Sequence, residues 1–354
     1  MTFYEELQLN QAGSKKVIKE SRTTKEKIYH IGVYLFKIIL TLAFCMAFVL
    51  AFSVFFGNNN STVGVVVLLC ILVFRNVDLE IEIHHAMLSL VAIFLILSFG
   101  PYLAHNSNIF ISFLIHFFCI GIIMFLGCHN IKMSNHSTLI LSYLLLYGYG
   151  VTGTSYEKRL VGMALGLILV GIVYYHKHHK KVYEVKFRNL IQALNLRTSR
   201  TQWQLLIALS VSSALFLAEC FHFLRIVWVG IAAMSVLVPF RSNIKERLKQ
   251  RIRGNILGIA IFFLIYNFFP DYIYNNVGII GGIGVGLSAT YGWQSVFNSF
   301  GALAIGTNLY GFSEAIFFRA VDTIFGVLYG FVFELMFYLY LKRTGRLTAK
   351  DYNS

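Results

Sequence analysis

The sequence predicts an all-α polytopic membrane protein, with about twelve transmembrane helices arranged as two parallel six-helix repeats. Three observations support this fold class: an apolar composition, twelve separate apolar runs, and sequence matches between the two halves. Of the 354 residues, 57% are hydrophobic and only 13% are charged, and the mean hydropathy is +0.68. A water-soluble core cannot bury that much apolar surface, so lipid is predicted to surround the chain.

The apolar runs give each predicted helix its place. A helix needs about 20 apolar residues to cross the hydrocarbon core unaided, and the runs that begin at Thr62, Thr138 and Val277 are shorter. Short helices are tolerated inside a bundle, or they extend into polar flanks. The runs are 33–56, 62–74, 87–103, 109–126, 138–149 and 160–175 in the first half, and 203–223, 227–240, 254–269, 277–289, 293–309 and 315–341 in the second.

These runs divide the chain into two membrane segments with polar segments around them. The linker is predicted to carry an amphipathic helix near Leu190 and Leu194 on the inner leaflet. The first thirty residues are polar and basic, so no secretory signal is expected there. The predicted segments are a cytoplasmic basic tail (1–32), a first six-helix repeat (33–175), a cytoplasmic basic linker (176–202), a second six-helix repeat (203–341) and a cytoplasmic tail (342–354).

Positive charge sets the predicted orientation. The net charge is +14, and most of the 30 Lys and Arg residues fall in the tails, the linker and the loops that share one side of the membrane. Basic loops near helix ends resist translocation and attract anionic lipid, so both termini are predicted to be cytoplasmic in a cell-membrane protein. The bilayer is the expected partner and nucleic acid is not. The basic residues expected outside are Lys158, Arg159, Arg225 and Arg319.

Matches between the halves indicate an internal repeat. Six helices per repeat is an even number, so both repeats enter and leave on the cytoplasmic side and are predicted to be parallel. A pseudo-two-fold axis along the membrane normal would relate them. The matching positions are 63–75 with 229–241, 159–166 with 319–326, and Pro101 after the third helix with Pro270 after the ninth.

One motif follows the eighth predicted helix. Trp228 and Pro239 precede the basic run 247–258, which reads R-L-K-Q-R-I-R-G-N-I-L-G. Residues 228–258 resemble the fusaric acid resistance protein-like (FUSC) family, relatives of aromatic acid exporters and of aluminium-activated malate transporters. The mark of that family is a Trp-containing helix, a Pro and a cytoplasmic Q-R-I/V-x-G-T-x-x-G. This chain has Asn255 in place of the usual Thr, and the first half has largely lost the motif.

The resemblance implies a secondary transporter, an exporter of organic or aromatic acids, with proton coupling as an option. The partner would be a small organic anion, and the sequence leaves a homo-oligomer open. The alternatives are a channel-like organic anion pathway and a cell-envelope membrane protein that does not transport. An enzyme is not expected, because no catalytic, nucleotide-binding or metal-binding spacing is present. No cofactor and no metal site are expected, since the five cysteines lack CxxC spacing.

Arginines near helix ends supply the candidate anion contacts. Arg251 lies beside the start of the ninth predicted helix, whose free amides and dipole favour an anion, although membrane topology alone also explains a basic loop. Arg225 precedes Trp228, an arrangement that suits an aromatic anion. The candidates for substrate binding or gating are Arg225, Trp228, Arg247, Gln250, Arg251 and Arg319.

Two carboxylates are candidates for proton coupling. Each charged side chain inside a bilayer costs about 2.5 to 3.5 kcal/mol on insertion scales, so such residues usually face the bundle interior. Glu334 lies inside the last predicted helix and Glu219 near the outer half of the seventh. Arg319 and Asp322 are three residues apart on one helical face and are expected to pair with each other.

Glycines and charged loops are predicted to set how the helices meet. Glycines four residues apart let neighbouring helices approach closely. The acidic loop formed by Asp78, Glu80 and Glu82 is expected to pair with residues 245–253 across the pseudo-axis. The predicted helix-packing glycines are Gly254, Gly258, Gly278, Gly282 and Gly286.

Overall fold

A computed structural model describes residues 2–133 and 135–346, without the side chain of Lys132. Within those residues the secondary structure is entirely helical. Residues 347–354 of the predicted C-terminal tail lie outside the described part. The helices are α1 (Phe3–Gln8), α2 (Gln11–Glu20), α3 (Thr24–Phe56), α4 (Ser61–Phe74), α5 (Ile83–His105), α6 (Ile109–Gly127), α7 (His136–Gly148), α8 (Thr154–His178), α9 (Phe187–Gln192), α10 (Ser199–Cys220), α11 (Ile226–Val236), α12 (Ile244–Phe268), α13 (Asp271–Asn275), α14 (Val277–Leu287), α15 (Tyr291–Tyr310) and α16 (Phe312–Arg343).

Every predicted apolar run coincides with one of these helices. Seven of the helices are long and apolar enough to cross a membrane: α3, α5, α6, α8, α10, α16, and α12 with the short turn before it. The other five helices that match predicted runs are shorter or less apolar: α4, α7, α11 and α14 have fewer than fifteen residues, and α15 carries many polar residues. The helical membrane fold is therefore confirmed, while twelve crossings remain a prediction.

The chain forms two compact units that do not follow the two predicted repeats in sequence. Unit one contains Met1–Ala47 and Lys249–Val321, and unit two contains Phe48–Leu248 and Asp322–Ser354. The core of unit one contains Phe262, Val277, Val296, Phe300 and Leu303 from α12, α14 and α15. In unit two α10 packs on α6 and α11, and α8 packs on α4 and α5.

The N-terminal segment is folded onto unit one. Thr2 caps α1 in a capping box with Glu5, and Asn10 caps α2. Buried Glu6 accepts a 2.8 Å contact from Nδ1 of His30 on α3, and Nζ of Lys37 donates to Oγ of Ser14 at 2.6 Å. Residues 3–20 are called the N-terminal strap below. The strap is thus an ordered part of unit one.

Pro101 and the linker helix differ in the structure from what the sequence predicts. Pro101 lies inside α5, whereas Pro270 follows α12 and precedes α13, so the expected echo between them is wrong. Neighbouring groups in a helix bundle can satisfy the backbone that a proline frees, which permits Pro101 within a helix. The amphipathic linker helix is short: Leu190 of α9 is buried, but Leu194 lies beyond the helix and is exposed.

Candidate functional site

Helices α12 and α15 of unit one meet along a line of small residues. A Cβ atom at Gly254 would lie 2.6 Å from the carbonyl oxygen of Gly292, and one at Gly258 would lie 2.6 Å from that of Val296. These distances leave no room for a side chain. The two glycines therefore bring the backbones of the two helices into contact, as the spacing predicts.

Polar side chains lie along the same contact. Nδ2 of Asn255 donates to the carbonyl oxygen of Arg319 at 3.4 Å, and Oγ of Ser299 donates to Oδ1 of Asn255 at 3.2 Å. These bonds connect α12, α15 and the first part of α16. Asn255, where the related family usually has Thr, is thus a structural link. The polar seam is defined here as the buried residues Arg251, Asn255, Ser295, Ser299 and Arg319.

Arg251 is the most informative member of the polar seam. It lies one turn before Gly254 on the buried side of α12, and only 6% of its surface is exposed. Its Nε has no hydrogen-bond partner in the described part of the chain, and neither does Oγ of Ser295 on α15. A buried N–H or O–H group without an acceptor is costly, so these two donors are candidates for contacting an anion.

Arg225 and Trp228 lie in unit two, at the start of α11. Both are buried, and the guanidinium carbon of Arg225 lies 5.2 Å from the ring centre of Tyr149 and 5.9 Å from that of Trp228. Tyr149 follows the last residue of α7, so a residue of the first half forms part of this arrangement. Sequence reasoning identified the Arg225 and Trp228 pair but not Tyr149.

The two predicted proton-coupling residues have different partners. Oε1 of Glu219 accepts a short hydrogen bond from the hydroxyl of Tyr147 on α7. Glu334 is buried and forms an ion pair with Arg241, whose Nε lies 2.8 Å from Oε1. Glu334 thus has a charged partner, whereas Glu219 has a neutral one. Arg241 was not predicted as the partner of Glu334, although it matches Arg75 in the repeated segments 63–75 and 229–241.

The remaining predicted residues are placed as follows. Nε of Arg247 donates to the carbonyl oxygen of Ser235 at 3.4 Å, and Gln250 is half-buried on α12.

Two of the remaining predicted packing glycines contact α3. A Cβ atom at Gly282 would lie 2.8 Å from Leu42, and one at Gly286 would lie 2.9 Å from Ile38. Gly278 has no neighbour within 4 Å among the described residues, so the packing role expected for it is wrong. Arg319 and Asp322 are both buried, and their pairing stays a prediction.

The acidic loop of the first half has other partners than expected. Oδ2 of Asp78 lies 2.6 Å from Nζ of Lys181 and accepts a hydrogen bond from the Tyr183 hydroxyl at 3.0 Å. Glu82 lies 3.7 Å from Nζ of Lys186. These cations belong to the linker, so the expected pairing with residues 245–253 is wrong for Asp78 and Glu82. The linker follows α8 in the sequence. Because α8 packs beside α4 and α5, it brings the linker close to the acidic loop between those two helices.

The contact between the acidic loop and the linker shifts the pKa values of Asp78 and Tyr183. Burial raises the pKa of the Asp78 carboxyl, but hydrogen bonds from Lys181 and Tyr183 and the charge of Lys181 outweigh it, so the pKa is lowered overall. Burial, the hydrogen bond to Asp78 and nearby negative charge raise the pKa of Tyr183 to about 12. Asp78 is therefore held as a carboxylate and Tyr183 as a neutral phenol.

A comparison with known protein families covers α10 to most of α16. Residues 193–333 match the fusaric acid resistance protein-like family. This fusaric acid resistance protein-like region is less than half of the chain, and it extends well beyond the motif at 228–258. It contains every predicted substrate contact, including Arg225, Arg251 and Arg319, whereas Glu334 lies just outside it. No curated protein and no solved structure matched the chain.

Proposed function

We propose that this membrane protein is a secondary transporter that exports organic or aromatic acids and holds their anionic group in the polar seam. The observation that carries the proposal is the buried Arg251, whose Nε has no acceptor, beside a glycine-lined helix contact inside the family region. The description of the matched family names an acid, which agrees with this choice of substrate class.

The chemistry of the seam favours an anion over a cation. Guanidinium groups bind carboxylates through paired, charge-assisted hydrogen bonds, and the buried hydroxyl of Ser295 on α15 is a further donor without a partner in the described part of the chain. Arg319 adds a second buried positive charge to the same unit. Backbone contact at Gly254 and Gly258 fixes the positions of α12 and α15, the helices that carry Arg251 and Ser295.

The proposal includes twelve crossings in two parallel repeats, with both termini and the linker cytoplasmic. Packing in unit two supports the repeat. Gly166 of α8 lies against Val67 of α4, and the matching Gly326 of α16 lies against Val229 of α11, so the corresponding helices pair in both halves. Rocking of the repeats about a central site would then move the substrate across the membrane.

We assign proton coupling to Glu219 and not to Glu334. Protonating Glu334 would break the ion pair with Arg241, whereas Glu219 can exchange a proton while its hydrogen bond to Tyr147 changes direction. The environment of Glu219 therefore makes it the first residue to test.

The test is acid flux in vesicles that contain the purified protein, with and without a proton gradient. Arg251→Ala is compared with Arg253→Ala, which removes the same charge two residues away at an exposed position. We expect Arg251→Ala to reduce the flux of aromatic and aliphatic acids about 10- to 100-fold, the worth of a charge-assisted hydrogen bond, and Arg253→Ala to retain it.

Three results would contradict the proposal in different ways. Equal flux in both variants would remove Arg251 from the substrate site. Steep conductance that is independent of the proton gradient would indicate a channel-like pathway. No flux of any acid through the correctly inserted wild type would indicate a protein that does not transport.

A further inference from the structure

A line of polar side chains runs into the interior of unit two from Glu219, near the end of α10. On α6, Ser112 and His116 are four residues apart. On α7, Tyr143 and Tyr147 have the same spacing. Residues four apart lie on one face of a helix, so each helix presents two of these groups in a row. These five residues are called the Glu219 chain below.

Each member of the Glu219 chain contacts the next. The hydroxyl of Tyr147 donates to Oε1 of Glu219, and Ser112 is a second hydrogen-bond partner of that hydroxyl. Oγ of Ser112 lies 3.2 Å from Nε2 of His116, and Nδ1 of His116 lies 2.8 Å from the hydroxyl oxygen of Tyr143. Both ring nitrogens of His116 therefore take part, one toward each neighbour.

Access to water decreases along the Glu219 chain. Glu219 and Tyr147 are half-buried. The other three members are 2%, 1% and 0% exposed, in the order Ser112, His116 and Tyr143. A proton from water can therefore reach the carboxyl end directly, but it can reach His116 only through the other members.

Titratable groups also lie at both ends of the Glu219 chain. The exposed His105 of α5 interacts with the carboxylate of Glu219, and its ring centre lies 6.5 Å from that of Tyr147. At the inner end, the hydroxyl of Tyr143 contacts the thiol of Cys119 on α6. The chain thus begins beside an exposed histidine and ends among buried groups.

The contacts permit proton transfer, because hydroxyl groups and imidazole can accept a proton on one side and release one on the other. When Glu219 is protonated it can donate to Tyr147, whose hydroxyl then donates to Ser112. Transfer breaks the O–H bond of Glu219 and forms an N–H bond at Nε2 of His116. The two hydroxyl groups between them each gain one proton and lose one. Glu219 is left as a carboxylate and His116 as an imidazolium.

The surroundings of His116 suit a proton that is held for a short time. Burial favours the neutral imidazole at rest, which leaves Nε2 free to accept. The N–H group at Nδ1 then donates to the hydroxyl oxygen of Tyr143. The carboxylate left on Glu219 offsets the new charge, because opposite charges attract strongly in a medium of low dielectric constant. Carboxyl and imidazole groups that occur together in membrane helices are typical of proton pathways.

We propose that Tyr147 and Ser112 carry a proton from Glu219 to His116, which makes His116 an interior proton site of unit two. The inference rests on the proposed function, in which proton coupling is assigned to Glu219. It adds the step that follows proton uptake, when the proton leaves a half-buried carboxyl and is held away from water.

The first experiment measures how fast the ring N–H of His116 exchanges its proton with water, which requires no transport. The full chain carries isotope-labelled histidine in detergent micelles, and NMR identifies His116 among the 11 histidines by the signal that His116→Gln removes. We expect exchange to slow several-fold in Tyr147→Phe and in Ser112→Ala, because each variant interrupts the chain. A variant that only loosened the fold would speed exchange, since local opening exposes the ring to water.

Tyr174→Phe is the matched control for Tyr147→Phe. Tyr174 of α8 is also buried in unit two, and its hydroxyl accepts a hydrogen bond from the backbone N–H of Leu79 at 3.1 Å. We expect this control not to slow exchange. Exchange in Tyr147→Phe that is as fast as in the wild type, or faster, would overturn the proposal.

The second experiment compares acid flux into vesicles with and without a proton gradient. We expect the gradient to stimulate flux in the wild type, and this stimulation to be lost in Tyr147→Phe and in His116→Gln. A glutamine amide forms hydrogen bonds but does not pass on a proton. His136→Gln, which changes another buried histidine of unit two, should keep the stimulation.

The two experiments separate this inference from the proposed function. Slowed exchange in Tyr147→Phe without any stimulation of wild-type flux would support the proton pathway and contradict coupling at Glu219. Unslowed exchange together with stimulation that persists in His116→Gln would mean that Glu219 acts alone, and the interior site would be wrong.

Discussion

The Nε atom of Arg241 lies 2.8 Å from Oε1 of Glu334, which joins the turn after α11 to α16 within unit two. Glu334 is buried, and the guanidinium group of Arg241 also stacks on the ring of Tyr338 at 3.3 Å from its centre. A carboxylate that looks isolated in an apolar helix thus has a partner almost a hundred residues earlier in the chain. The ion pair connects these two elements of unit two.

This pairing predicts strong coupling between Arg241 and Glu334. Arg241→Ala and Glu334→Gln should each lower the free energy of unfolding. The double variant should lose less than the sum of the two single losses. We expect a coupling of about 1 to 3 kcal/mol, typical of a contacting charged pair that is partly buried. A double-mutant cycle from unfolding in mixed micelles measures it. Additive losses would mean that the pair contributes no stability.

Close backbone contact predicts that Gly258 cannot be replaced. Gly258→Ala would push a Cβ against the carbonyl oxygen of Val296 and should cost about 1 to 3 kcal/mol through overpacking. Gly278→Ala is the control, because a Cβ there meets nothing within 4 Å, and alanine is the better helix former. Thermal unfolding of both variants checks this. Equal effects would argue against the tight α12 and α15 contact.

The linker contact predicts that Asp78 stabilises unit two. Asp78→Asn removes the charge that Lys181 contacts and should cost about 1 to 3 kcal/mol, the range for hydrogen bonds to charged groups. Glu184→Gln, which changes an exposed acid of the same linker, should be neutral. The measurement is the unfolding midpoint, and a neutral Asp78→Asn would show that the linker is not held there.

The pKa shifts predict how this contribution depends on pH. The pKa of Asp78 is lowered below 3.8 in the folded protein, so its contribution is complete above the unfolded value and is lost as the pH falls through the folded one. The pKa of Tyr183 is raised from 10 to about 12. Its contribution to folding stability is therefore complete below pH 10 and is lost as the pH rises toward 12. The stability difference between wild type and Asp78→Asn should therefore shrink in acid. The difference for Tyr183→Phe should shrink at high pH.

The buried Glu6 predicts that the N-terminal strap can be released. Glu6→Gln weakens the contact with His30 and should speed tryptic cleavage at the exposed Lys15 of α2 several-fold, because local opening becomes easier. Glu20→Gln is the matched control, since Glu20 forms an exposed pair with Lys16, and such pairs contribute little. Equal cleavage rates in the two variants would show that Glu6 does not anchor the strap.

The apolar runs by themselves located α3 to α8, α10 to α12 and α14 to α16. Every apolar run coincides with a helix because lipid-exposed backbone must satisfy its own hydrogen bonds, and a helix does so locally. The family region was also visible in the short motif around Gln250 and Arg251, since glycines and arginines at fixed spacing remain recognisable without a structure.

Partners that are distant in sequence were decided only by the tertiary structure. Nothing near Glu334 in the sequence indicates Arg241, and the acids at 78 and 82 contact the linker because α8 packs beside α4 and α5. The sequence by itself determined a helical membrane protein, because burial in lipid and helix formation depend on local composition; the anion role of its arginines stays a prediction. Tertiary packing decided which of those arginines are buried and which carboxylates already have partners, because ion pairs form between side chains that only the fold brings together.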